Sequence, residues 1–191
     1  MAKPVIVEDA DLSHLVKIIR ATSCNSLRNI ALIYTLFGTG MKPSEIASLK
    51  ISDYLDKNGQ PKKDTVIRAE ISFNGRERPL MWVNKQIVSS INEYLSKSNK
   101  ENKERYLFLS NTGEGFTAAG LTNLLNKLIA GAGLEGCNTN SARHTLAVKL
   151  HRNHIDLATI NKILGQSSLT ATKKMCQGDT ARLSSLVENI I

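Results

Sequence analysis

The sequence predicts a mainly helical α+β fold with one small antiparallel β-sheet. Three observations lead there. Apolar residues recur at helical spacing through most of the chain. One stretch, residues 65–83, reads instead as two strands around a central Asn-Gly turn. The 191 residues are 41% hydrophobic and 22% charged, enough to bury a single core.

Taken in order, a first helix spans about Glu8 to Arg20, with Leu12, Leu15, Val16 and Ile19 on one side. A second spans about Ser26 to Phe37. Its apolar residues cover more than one face, which predicts a central, buried helix. Gly38-Thr-Gly40 stops it, and Pro43 suits the first turn of a short helix to Leu49. Residues Ile51 to Tyr54 read as a weak strand. Thr65–Ser72 and Arg78–Val83 flank Phe73-Asn-Gly75 as a hairpin. Asn84 caps a helix bearing Ile87, Val88, Ile91, Tyr94 and Leu95. Residues 96–105 are polar throughout and predict an exposed connector. Thr117 caps the next helix, which ends at Gly131-Ala-Gly133. Two more follow, Asn140–Asn153 and one from Asp156 to Gly165, and a last one is expected over 181–190.

The net charge is +8, which suggests a polyanionic partner, and no tail or run concentrates it. Any basic surface must therefore be assembled by folding. Aromatic residues make up 5% with a single tryptophan, too few for a stacking platform for single strands. The longest apolar runs are far shorter than a membrane span, and the N-terminus lacks a secretory signal. Cys24, Cys137 and Cys176 show neither disulfide-scaffold nor metal-ligand spacing, which fits a reducing cytoplasm. His151 and His154 lie three apart, but a metal site needs more ligands than they supply. No phosphate-binding glycine loop or dinucleotide motif is present, so neither cofactor nor metal is expected.

Two segments carry a specific pattern. One is Leu36-Phe-Gly-Thr-Gly-Met-Lys-Pro-Ser-Glu-Ile-Ala-Ser-Leu49. The other is Asn140-Ser-Ala-Arg-His-Thr145, followed by Ile163-Leu-Gly-Gln-Ser-Ser-Leu169. In order and spacing, with a hairpin between them, they resemble the catalytic domain of the tyrosine recombinases, the phage integrase family. The resemblance covers essentially the whole chain, and the expectation is of the catalytic-type domain alone, without the N-terminal DNA-clamping arm many integrases carry. One domain over residues 1–191 is expected, with 181–191 as a candidate docking helix for a second copy.

The resemblance implies chemistry on duplex DNA. In the family a tyrosine attacks a phosphodiester, two arginines brace the phosphate oxygens, a hairpin lysine protonates the leaving oxygen, and histidines assist. Carried over, the first arginine falls on Lys42, with the acidic neighbour present as Glu45. The hairpin lysine has no clear counterpart; Arg68, Arg76 and Arg78 lie nearby. The first histidine falls on Asn140, the second arginine on Arg143, the second histidine on Gln166 and the tyrosine on Met175. With so many positions replaced, the sequence reads as a family fold without strand cleavage, and hence as no enzyme. The polar replacements can still donate hydrogen bonds to a phosphate. The expected DNA-binding residues are Lys42, Arg76, Arg78, Asn140, Arg143, Gln166, Lys173 and Lys174, with Lys162 a further candidate. The expected function is a non-catalytic duplex-DNA-binding regulator or accessory factor of a plasmid or mobile element, nucleoid-associated in the cytoplasm. Two alternatives stay open: a protein-interaction module partnering a recombinase, and a recombinase using Cys176, Thr172 or Ser167 as nucleophile.

Overall fold

A computed structural model describes residues 5–97 and 102–176. Helix α1 (Asp9–Thr22) opens with the Asp11 carboxylate accepting the Glu8 N–H at 3.0 Å, and it buries Leu15 and Ile19. Helix α2 (Ser26–Thr39) is the centre, burying residues on all sides from Arg28 to Phe37 as its two-faced apolar pattern predicts. It runs two residues past Phe37 and closes at Gly40, whose φ of 62° is left-handed. A Cβ at Gly40 would sit 2.7 Å from Leu164 Cδ2, so the bare glycine lets the end of α2 approach a distant segment closely.

Helix α3 (Pro43–Ala47) is one turn, started by Pro43. The expected strand at Ile51–Tyr54 is instead a helical turn, α4 (Ile51–Tyr54). The reason is local: the Asp53 carboxylate accepts the Lys50 N–H at 2.8 Å, which favours a turn over extended backbone. The bridge partner of this region is Lys50, opposite Tyr106.

Strands β1 (Asp64–Ile67) and β2 (Arg78–Met81) pair antiparallel, with Thr65 opposite Leu80 and Ile67 opposite Arg78. The hairpin is narrower than predicted. At Arg68 the backbone turns, its carbonyl accepting the N–H groups of Ile71 and Ser72, and residues 68–77 form a loop rather than more ladder. That loop is central to the site below.

The remaining helices sit where their caps place them. They are α5 (Lys85–Ser96) after Asn84, α6 (Ala118–Gly131) after Thr117, α7 (Thr139–Arg152) after Asn138 and α8 (Leu157–Leu164) between Asp156 and left-handed Gly165. Helix α9 (Leu169–Cys176) was not anticipated. The polar connector is partly anchored: Lys103 Nζ donates to Asp56 O at 2.6 Å, and Lys50 pairs with Glu104 at 2.6 Å. The helix expected over 181–190 lies outside the described residues.

Two apolar clusters result. The larger one is built mainly by α1 to α6 around α2. The smaller holds Ala147, Ile160, Leu164, Met175 and Cys176, from α7, α8 and α9. No described helix is long and apolar enough to cross a membrane.

Candidate nucleic-acid interface

The seam between the two clusters gathers charge. Arg143 projects from α7 and is almost fully buried. Its Nη1 donates to the Gly40 carbonyl and its Nη2 to the Leu164 carbonyl, the latter at 2.7 Å. These carbonyls belong to the final turns of α2 and α8, where helix carbonyls run out of intrahelical partners and their dipoles favour a cation. Gly40 and Gly165, both left-handed, end those helices tightly enough for one guanidinium to reach each.

Glu45, fully buried, organises the other wall. Its Oε2 accepts from the Lys42 N–H and from Arg78 Nη2, both at 2.7 Å, and its Oε1 accepts from the Phe73 N–H at 3.2 Å. One carboxylate thus caps α3, holds the start of β2 and pins the loop between the strands. Arg78 keeps Nε and Nη1 buried with no hydrogen-bond partner.

The Phe73 ring is the meeting point. Lys42 Nζ lies 3.9 Å from its centroid, the Arg143 guanidinium carbon 4.8 Å and that of Arg78 6.0 Å. Three cations and one carboxylate leave the cleft positive. The titration tendencies agree with this. Burial lowers the pKa of Arg143 to about 10, repulsion from Arg78 adds to it, and Glu45 works against both. Burial lowers Lys42 as well, and Arg143 pushes it further down.

His144 follows Arg143 on α7, and its Nδ1 is buried without a partner. Burial first, then the Arg143 charge, hold its pKa below the ordinary histidine value, against a raising contribution from the Met175 backbone. The unfolded chain therefore takes up this proton first as pH falls. His144 should contribute stability that is complete above about pH 6.5 and shrinks below it. A series of urea midpoints from pH 7.5 to 5 should fall for the parent protein, and His144→Gln should flatten that fall.

The other expected residues are not all brought together. Gln166 is half-buried after Gly165 and its Nε2 lies 3.0 Å from the Met175 thioether sulfur. Asn140 is exposed in the first turn of α7, Arg76 is exposed on the loop, and Lys173 and Lys174 are exposed in the last turn of α9. Lys162 is exposed on α8. The sequence paired Arg76 with Arg78, but the structure separates them: only Arg78 turns inward. Phe73 was not singled out; the signal available was an aromatic residue beside the Asn74-Gly75 turn.

The hydroxyls and thiol considered as nucleophiles divide likewise. Thr172 is buried, accepting from Asn161 Nδ2 at 2.9 Å. Cys176 is buried against the Ala147 carbonyl, and burial pushes its thiol pKa up, away from the reactive thiolate. Ser167 is exposed. Among the described residues no group of histidine, cysteine and carboxylate side chains converges as a metal site.

Residues 6–180 match the family model described as the phage integrase family. The chain belongs to that family. A relative named tyrosine recombinase XerC, from Pediococcus pentosaceus, is 30% identical over 160 residues, covering 81% of this chain and 51% of the relative. Tyrosine recombinase XerD from Oceanobacillus iheyensis is 25% identical, covering 97% of this chain and 62% of its own length. The chain thus spans about half to three-fifths of these phage integrase family relatives. In fold it matches the crystal structure of XerA recombinase with a TM-score of 0.76 at 24% identity, covering all of this chain and 67% of that one. It also matches XerH site-specific recombinase bound to palindromic difH substrate, with a TM-score of 0.71 at 24% identity, covering 98% of this chain and 54% of that one.

These matches correct one expectation. Reading replaced side chains as the loss of enzymatic function is overturned by the relatives' names, because tyrosine recombinases are enzymes. Family membership and the integrase-type fold are as the two sequence blocks implied.

Proposed function

We propose that this chain acts on duplex DNA in site-specific recombination, holding a backbone phosphate at the seam lined by Lys42, Arg78 and Arg143. The observation that carries this reading is the convergence of three cations on one half-buried ring with a single carboxylate among them. Arginine donates in a planar fork suited to phosphate oxygens, and Arg78 retains two buried donors with no partner. Lys42 adds a point charge.

Arg76, Asn140, Gln166, Lys162, Lys173 and Lys174 extend the contact along the backbone in this reading. Arg76, Asn140, Lys162, Lys173 and Lys174 are exposed and act as solvated phosphate contacts that position the duplex and read no base, while half-buried Gln166 reaches the phosphate only by leaving the Met175 sulfur. The relatives are recombinases, which favours work on chromosomal or mobile DNA in the cytoplasm. The relatives named above are recombinases, so a transcriptional-regulator role and a plasmid origin are not kept.

The test is fluorescence anisotropy of a labelled duplex across a salt series. Binding should weaken with a log–log slope of roughly −0.9 per phosphate neutralised, and Lys42→Gln should make that slope shallower by about one phosphate's worth. Absence of binding at the lowest salt overturns the proposal. The same protein incubated with a nicked duplex and resolved under denaturing conditions reports on strand cutting. A covalent adduct, mapped by mass spectrometry, names the attacking residue; its absence overturns strand cutting by this chain while leaving duplex binding to stand on the anisotropy.

A further inference from the structure

The Phe73 ring already engages the two cations, Lys42 and Arg143, that the phosphate-binding reading assigns to an anion. Both cations lie within 5 Å of its centroid, so they are no farther apart than the sum of the two distances. A phosphate hydrogen-bonded to both would compete with the ring face for the same two charges.

We propose that Phe73 is an internal stand-in for the bound phosphate, a gate residue that DNA must displace and that thereby sets the affinity of the cleft. This rests on the phosphate-binding reading above. Physically, the negative face of the ring partly satisfies cations that repel one another when no anion is present. The ring is carried on a loop whose tip is held to other segments by two hydrogen bonds, which duplex binding would have to break. These run from the Phe73 N–H to Glu45 Oε1, at 3.2 Å, and from Asn74 Nδ2 to the Gly165 carbonyl, at 2.7 Å. Within the loop, Asn74 Oδ1 accepts from Ser72 Oγ and from the Arg76 N–H, and Gly75 takes φ of 67°, so the tip can swing as a unit. Arg76, exposed two residues past Asn74, would travel with it and arrive at the duplex as the ring leaves.

The experiment compares the full chain with Phe73→Ala and Phe73→Leu. Leucine keeps apolar bulk on the loop but has no ring face for the cations, which guards against a merely misfolded alanine variant. Both variants should bind the duplex roughly three- to tenfold more tightly than the parent, the range expected from releasing a cation–π contact, with an unchanged salt slope. In parallel, NMR of isotope-labelled lysine reads the ring directly. The Lys42 ε-methylene protons should lie upfield in the free protein, from the ring current, and return to the ordinary lysine position at saturating duplex. Parent-like or weaker binding by both variants, or an upfield Lys42 signal that persists at saturation, overturns the gate while leaving the phosphate reading intact. If the parent and both variants all fail to bind at the lowest salt, the phosphate reading fails and the gate falls with it.

Discussion

Arg143→Ala is expected to lower the free energy of unfolding by about 3–5 kcal/mol and to abolish duplex binding at moderate salt. The stability loss follows from two buried carbonyls, Gly40 and Leu164, each losing a charged donor. A charge-assisted hydrogen bond is worth about 1.5–3 kcal/mol, and a buried acceptor left alone loses the water it gave up on folding. Arg143→Lys should recover little. An ammonium is a point donor that cannot span the ends of α2 and α8, whereas the guanidinium fork reaches both. Urea denaturation gives the stability and anisotropy gives the binding. A loss under about 1 kcal/mol for alanine would mean that the two helix ends are held by something other than this side chain.

Glu45→Gln is expected to cost about 3–5 kcal/mol as well, by a different route. It leaves the Arg78 guanidinium buried without a counter-charge. Removing one member of a buried pair is far worse than replacing both. The double substitution Glu45→Gln with Arg78→Met should therefore be more stable than Glu45→Gln alone, which an additive pair of losses cannot produce. Glutamine keeps one accepting oxygen where the carboxylate offers two, one to Lys42 N–H and one to Phe73 N–H, so the deficit combines the lost charge with one lost backbone hydrogen bond. Thermal or urea unfolding of the parent and three variants closes the cycle.

Much of the architecture was legible in the sequence because it is written in local chemistry. Asn84, Thr117 and Asp156 each cap the helix they precede, and Gly40 and Gly165 end theirs left-handed. Where local signals conflict, the reading failed. Ile51-Ser-Asp-Tyr54 has strand-like side chains, yet one carboxylate on one backbone amide turns it helical. Helix α9 carries Thr170 and Thr172, weak helix formers, and its burial against α7 and α8 comes from packing that no window of sequence displays. The site shows the same division. Lys42, Glu45 and Arg143 stand out by their place in the two sequence blocks. The inward turn of Arg78, the outward turn of Arg76 and the ring of Phe73 between three cations depend on residues up to a hundred positions apart. The inference that replaced side chains mean no enzyme went further than side-chain identity allows, and the relatives reverse it.

The division into two apolar clusters has a consequence for how the proposed phosphate site comes apart. Lys42, Glu45 and Phe73 belong to segments packed on the large cluster, while Leu164 and Met175 belong to the small one. Arg143 and Gly165 span the gap. A sub-global opening that frees α8 and α9 would dissolve the cation seam while α2 and its neighbours stay folded. Ligand binding raises the free energy of just such an opening, by mass action. If the chain binds duplex as proposed, amide protons of α8 and α9 are expected to be the ones whose exchange the duplex slows most, and duplex binding is expected to be lost on heating before helical content.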